Sequence, residues 1–397
     1  MVWISLLVSQ GGYWVAAVSL QLVVVRLTHG NAFEQGQLLF FTFSPNLFMS
    51  PFAGVMADRY DRRRLIIASQ LGITVMASAL AVALALGVTR LELLYVLAFG
   101  LGSCVSFAQP VIQAIAADAV PRVSLPSAIA LLSMSINISR VVGPALAVPI
   151  VLLGGAVTAF AVYAGAAIVA TMLLSRVRLP PTTRPALRGG WAANLRDGFR
   201  HAAARPPILL YLAMVGVGSL FSAGYNTLVP VISVSILHQG SNGFFALVVA
   251  IGVGAALCAV ATGFVIGHLR PAAAALEMAV LGAVVILLGH AHEYLWLLLL
   301  SAAYGAIFFA LMTTLATAIQ YLVDDHNRGR VMGLYVLCWG GLAPVGNLLI
   351  GFTASRLGTA GALDLFGAVT LIYAAAVLIL RPRALTALAA FLKRAPA

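Results

Sequence analysis

The sequence predicts an all-α membrane protein of twelve transmembrane helices in two six-helix, pseudo-symmetric bundles. Three observations carry that prediction. The 397 residues are 62% hydrophobic and only 9% charged, with a mean hydropathy of +1.04, whereas a soluble domain is about a quarter charged. The apolar residues come in long runs rather than in the alternating ten-residue segments of a barrel, which leaves helices as the spanning structure. One long polar segment, 176–206, divides those runs six and six.

A helical pass needs about 20 mainly apolar residues to cross about 30 Å of hydrocarbon. Applied along the chain, that template gives 2–26, 36–57, 65–87, 91–117, 126–153 and 157–175, then 207–236, 243–267, 272–290, 294–322, 330–355 and 360–380. The expected organisation is a bundle over 1–175, a linker over 176–206 with a short helix from Trp191 to Ala204, a bundle over 207–381 and a tail over 382–397. The chain opens "MVWISLLVSQ" without a basic leader, so its first run reads as a retained span.

Arginine and lysine orient the passes. Of the 23, 19 fall in one set of alternate connections. Arg26, Arg90 and Arg356 fall in the other, and Arg140 lies inside a span. The positive-inside rule then places both termini in the cytoplasm. The net charge of +12 is therefore a topology signal, and no nucleic-acid partner is expected.

Other chemistry is set aside on the residues present. Cys104, Cys258 and Cys338 stand far apart in apolar runs, without disulfide or zinc spacing. No metal or other cofactor is expected. "GVGAAL" (Gly252–Leu257) lies inside a span with no strand before it, so it reads as packing glycine. No Walker motif and no Ser/His/Asp cluster is evident, and no enzyme is expected.

The halves repeat one another. "ISRVVGPALA" and "CWGGLAPVGN" place Pro144 and Pro344, the expected helix kinks, at equivalent points of spans five and eleven. "GVMADR" after span two corresponds to "GFVIGH" (Gly263–His268) after span eight, where the charges are gone. A duplicated architecture of this kind puts a substrate site where the repeats meet, near the bilayer midplane.

The stretch "GVMADRYDRRR" concentrates Asp58, Arg59, Asp61, Arg62, Arg63 and Arg64 within eleven residues. Gly54 would let a neighbouring helix approach closely. Asp58 is a fixed anion suited to the first turn of span eleven, around Gly329 to Gly333, where unpaired N–H groups and the positive helix end favour a carboxylate. Arg59 and Arg62 to Arg64 can pair with Asp61, Asp118 or lipid phosphates. Here the chain resembles the major facilitator superfamily, whose signature between spans two and three is G-x-x-x-D-R-x-x-R-R. "SFAQP" (Ser106–Pro110), "NISRVVGP" (Asn137–Pro144), "LRDGFRHAAARPPI" (Leu195–Ile208) and "RGRVMGLY" (Arg328–Tyr335) resemble its drug-and-siderophore-exporter branch. The resemblance implies a monomeric, multi-pass transporter of a bacterial inner membrane, exporting amphipathic small molecules by alternating access with protons as the coupling ion. It also implies that the cluster latches the cytoplasmic side shut. A lipid- or metabolite-specific carrier and a non-transporting receptor of the same fold remain open.

The resemblance implies that spans one, four, seven and ten line the cavity. Their candidates are Gln10, Tyr13, Trp14 and Gln21; Gln109 and Gln113; Phe221, Tyr225 and Asn226; and Phe308, Thr313 and Thr317. Amides and aromatics suit a bulky ligand held by stacking and a few hydrogen bonds. Asn137 and Arg140 share a face of span five. Arg140 reads equally as an anchor for an anion, a partner for a moving carboxylate, or a structural arginine. Glu277 in span nine reads as a snorkelling or helix-contact residue ahead of a proton carrier. Asp118 and the pair Asp324–Asp325 are candidate gate residues. The chain departs from relatives in reading "SQGGYW", with Tyr13 where S-x-x-G-D-W has an acid, in Leu97 where an arginine is common, and in Val148–Pro149 where paired glycines occur.

Overall fold

The computed structural model describes residues 2–118, 124–177, 191–265 and 271–380. Every regular element in them is helical: α1 (Val2–Leu27), α2 (Ala32–Phe43), α3 (Asn46–Arg59), α4 (Arg62–Ala85), α5 (Leu91–Asp118), α6 (Leu125–Ser175), α7 (Trp191–Ala203), α8 (Pro206–Val217), α9 (Tyr225–Val231), α10 (Gly240–Val265), α11 (Pro271–His290), α12 (Tyr294–Leu322), α13 (Asp325–Val336) and α14 (Leu342–Leu380). Three π-helical turns, Gly218–Ser222, Ile232–Ile236 and Leu337–Gly341, join α8 to α9, extend α9, and join α13 to α14.

Nine helices among the described residues are long and apolar enough to cross a membrane. Two of these, Met134–Ser175 and Asn327–Ile379, hold 42 and 53 residues, or about 60 and 80 Å at 1.5 Å per residue, twice what a bilayer needs. Each folds back at a glycine: Gly155 (φ 70°, ψ −171°) and Gly358 (φ 76°, ψ 169°) take a backbone conformation open to glycine alone. The second predicted span is split into α2 and α3 around Ser44–Pro45, because Pro45 has no N–H to continue the ladder. Read through these breaks, the helices are consistent with twelve passes.

The chain forms two compact units. Unit 1 comprises residues 1–188 with 230–249, and unit 2 comprises 189–229 with 250–397. Both expose large apolar side chains, including Val96, Leu153, Leu295 and Ile372, which is a surface made for lipid.

In unit 1, α1 lies along α6 because small residues let the backbones close. A Cβ on Gly12 would stand 2.8 Å from Tyr163 and 2.9 Å from Ala166. At Gly143 it would run into Trp14. Around that seam Leu20, Val24, Leu38, Ile73, Leu80 and Phe160 form one core cluster. Leu6, Ala57, Ile66, Val111, Ile115 and Leu174 form a second. At the end of α1, Arg26 Nη2 donates to Ser241 Oγ at 3.2 Å, and Gly30 packs on Ser235.

In unit 2, α11 and α14 meet at glycines: a Cβ on Gly282 would stand 2.8 Å from the Gly367 carbonyl oxygen, and one on Gly367 2.7 Å from that of Gly282. The linker helix α7 packs on α13 with Gly198 against the Arg330 carbonyl.

Gly12→Ala is expected to cost about 1–3 kcal/mol through overpacking, seen as a lower melting temperature in detergent. Gly11→Ala, where a Cβ meets open space, is expected to be neutral or mildly stabilising, since alanine is the better helix former.

Candidate functional site

The charged cluster is built into unit 1. Asp61 caps α4, accepting from the Arg63 backbone N–H at 2.8 Å. Arg62 is 4% exposed, and donates from Nε to the Ala57 carbonyl at 3.0 Å and from Nη1 to the Ala114 carbonyl at 3.3 Å. The Ala57 carbonyl belongs to the last turn of α3 and has no partner inside its own helix, and the Ala114 carbonyl lies one turn before the end of α5. Arg63 donates to the carbonyl of Ser175, the last residue of α6. Two arginines thus tie together the ends of α3, α5 and α6 beside the start of α4. Arg64 sits 3.8 Å from Asp61 with both side chains exposed. Over Gly54 a Cβ would meet open space, so among the described residues the expected close helix contact is not made. The side chains of Asp58, Arg59, Asp118 and Asp325 lie outside the described residues, and so does the contact expected of Asp58 with span eleven.

Unit 1 also holds a cavity of about 10 Å³ with a mixed polar and apolar lining, room for about one water. Gln10 and Tyr13 of α1 and Gln109 of α5 line it, as do Ser9, Gln70 of α4 and Tyr163 of α6. Gln70 Nε2 donates to Ser9 Oγ at 3.2 Å. The Tyr13 and Tyr163 rings meet edge-on at 6.2 Å, and the enclosed Tyr163 hydroxyl has no protein partner. Next to it, the Arg140 guanidinium lies 5.8 Å from the centroid of Trp14, within cation–π range. Gln113 is exposed and outside the cavity lining. The Asn137 side chain lies outside the described residues. Pro144 is buried in α6, beside the glycine that receives Trp14.

Unit 2 brings together Tyr225, Asn226 and Phe308. Tyr225 is fully buried, with its hydroxyl 2.8 Å from Ser301 Oγ. Its ring meets Tyr304 edge-on at 4.8 Å, and Tyr304 stacks on Phe308 at 5.7 Å. The Tyr304 hydroxyl donates to the Ser222 carbonyl at 2.9 Å and accepts from Asn226 Nδ2 at 3.3 Å. Asn226 is exposed, at the open edge of this array. Thr313 stands apart, its exposed hydroxyl bonded to the Phe309 carbonyl of its own helix. Pro344 is buried one turn before Asn347, which accepts from Thr227 Oγ1 at 3.2 Å.

The sequence had not singled out Gln70, Tyr163, Ser301 or Tyr304. Tyr304 had a signal, because it precedes Phe308 by one helical turn and shares its face. Gln70 and Tyr163 had none, since the spans that carry them were not expected to face a cavity.

The predicted gate residue Asp324 caps the corner between α12 and α13. Arg205 Nη2 donates to its Oδ2 at 2.7 Å, and Nη1 donates to the Leu322 carbonyl at 3.2 Å. The hydrogen bond and charge of Arg205 hold the Asp324 carboxyl below its ordinary value.

A family model described as "transmembrane secretion effector" matches residues 1–392. The chain is 25% identical over 366 residues to the staphyloferrin A transporter of Staphylococcus aureus (strain NCTC 8325 / PS 47), covering 91% of this chain and 90% of that one. Among solved structures it is similar to the nucleoside transporter NupG, with a TM-score of 0.71 at 13% identity and 99% and 98% coverage. It is also similar to a D-xylose–proton symporter, with a TM-score of 0.69 at 14% identity and 96% and 97% coverage. At those identities the two structures speak for the fold alone.

Arg62→Met, which removes the donor to the Ala57 and Ala114 carbonyls, is expected to cost about 1–3 kcal/mol. Arg64→Gln is expected to stay within about 0.5 kcal/mol; thermal unfolding in detergent compares them. Because the folded Asp324 carboxyl titrates below its unfolded value, its contact with Arg205 is complete above the ordinary aspartate pKa of about 3.9 and is lost as pH falls through the lowered folded value. Protection factors of the α7 amides, corrected for the intrinsic pH dependence of exchange, should therefore fall below about pH 4, and Asp324→Asn should show the lowered protection at every pH.

Proposed function

The chain belongs to the transmembrane secretion effector family of the major facilitator superfamily, and from that premise we propose that it exports amphipathic small molecules, siderophores among them. The observation that carries this reading is the likeness to a siderophore transporter across nine-tenths of both chains.

The residues are suited to that cargo. Tyr304 and Phe308, buried and stacked on one another, back an edge at which Asn226 offers an exposed amide to a cargo. Arg140 lies inside a span of unit 1 and over Trp14, where it can receive a carboxylate or another anionic group of a chelator. The glutamines of the unit 1 cavity can bond a carbonyl or hydroxyl without adding charge. On this reading the protein sits in a bacterial inner membrane with both termini in the cytoplasm, as the arginine distribution favours. Its two halves alternate access to the two sides, and Asp58 belongs to a latch that holds the cytoplasmic side closed.

Purified protein in proteoliposomes, offered siderophores, dyes and antibiotics under an imposed pH gradient, tests the proposal. Accumulation of at least one siderophore is expected, together with a loss of about tenfold in Arg140→Gln and Trp14→Ala, equal to about 1.4 kcal/mol of binding. Arg356→Gln, at an exposed side chain, should transport at the wild-type rate. If no gradient drives accumulation of any compound, the exporter reading fails.

A further inference from the structure

We propose that Glu277 is a proton-binding site inside unit 2. It is the only acidic or basic residue between Pro271 and Gly289 in α11. It lies six residues from the start of that helix, and Thr314, its partner, lies eight residues from the end of α12. At 1.5 Å per residue these positions are about 9 and 12 Å from the same ends of two neighbouring apolar helices.

The surroundings are apolar. Ala274, Ala275, Met278 and Leu281, on the flanking turns, are fully buried. Of the carboxylate oxygens, Oε1 accepts one long hydrogen bond, 3.3 Å from Thr314 Oγ1. Oε2 is enclosed and has no partner. An ionised carboxylate has about four lone-pair sites to satisfy, and here one weak bond serves them. Among the described residues, the groups that face it carry no compensating charge. From α12 comes the Thr314 hydroxyl, and from α10 the Cys258 thiol, near enough to feel its charge. Further along α11, at Gly282, α14 closes on it with Gly367 and Leu371, which add no charge. Among the described residues Glu277 makes no ion pair.

A snorkelling carboxylate would turn its oxygens out to water; this one buries Oε2. Adding a proton removes the charge that hydrocarbon penalises most and leaves Oε1 to accept from Thr314. The side chain as a whole is only partly covered, so the proton has a way in. The step is a single protonation and release, with no other bond changed. Its coupling to cargo rests on the exporter reading above, whereas the protonation itself does not.

The test has two arms, run on the full-length protein in lipid vesicles. In infrared difference spectra recorded as the pH is varied, wild-type protein should show a protonated-carboxyl carbonyl band at neutral pH that disappears in Glu277→Gln and shifts in Glu277→Asp. The melting temperature reports whether each variant is folded, and Glu277→Asp decides if Glu277→Gln is not. A band that persists in Glu277→Gln, or no such band in wild type, overturns the proposal. In the transport arm, the ratio of rates with and without an imposed pH gradient should fall to about one in Glu277→Gln. A ratio that stays at the wild-type value overturns the coupling role. Should wild type move no cargo at all, the exporter reading falls and the infrared arm still decides the proton site.

Discussion

Hydrocarbon offers no hydrogen-bond partner, and this constraint shapes every part of the molecule. It requires helices, since only they satisfy their backbone within the segment. It also governs the polar side chains within them. Ser19, Thr42, Ser69, Thr74, Thr171 and Thr370 each return a hydroxyl proton to the carbonyl four residues back. Other polar groups reach across to a neighbouring helix, and two gatherings stand out among them: Ser9 with Gln70 in unit 1, and Tyr225, Ser301, Tyr304 and Asn226 in unit 2. In a lipid solvent, such gatherings are where a ligand could be recognised.

Helix ends face the same constraint at the membrane surface, and the two units meet it differently. In unit 1 the arginines after α3 bond carbonyls at or near the ends of three helices. In unit 2 the linker serves: Gly198 brings α7 onto α13, and Arg205 bonds both the Leu322 carbonyl and Asp324. The charge-rich stretch in the first half and its charge-poor counterpart in the second thus belong to units fastened in different ways.

Much of the fold was legible because length and hydropathy suffice for it. The ends of α1, α5, α11 and α12 fall within a residue or so of those read from the apolar runs. The paired folds at Gly155 and Gly358 lie in the short connections that separate spans five and six, and eleven and twelve. The break at Ser44–Pro45 was missed because the apolar run continues through it. The site was less legible. Tyr225, Asn226 and Phe308 converge, but they do so through Tyr304, which hydropathy hides among other aromatics. Gln10 and Gln109 share a cavity with Gln70 and Tyr163, and which helix faces meet is a tertiary fact. Arg62 read as part of a latch; its burial, and the carbonyls it serves, depend on where three helices end.

The π turn at Gly218–Ser222 closes through the Ala223 N–H to the Gly218 carbonyl, one residue wider than an α-helical turn. An additional residue per turn rotates everything that follows by about 100° relative to an unbroken helix. A helical wheel drawn straight through 207–236 is therefore out of phase beyond Ser222, and the second π turn at Ile232–Ile236 displaces it again. Tyr225, inward and sealed, and Asn226, outward and wet, have to be placed from the far side of that dislocation. Any scan of this segment plotted on a single continuous wheel would credit lipid-facing positions with the chemistry of the interior.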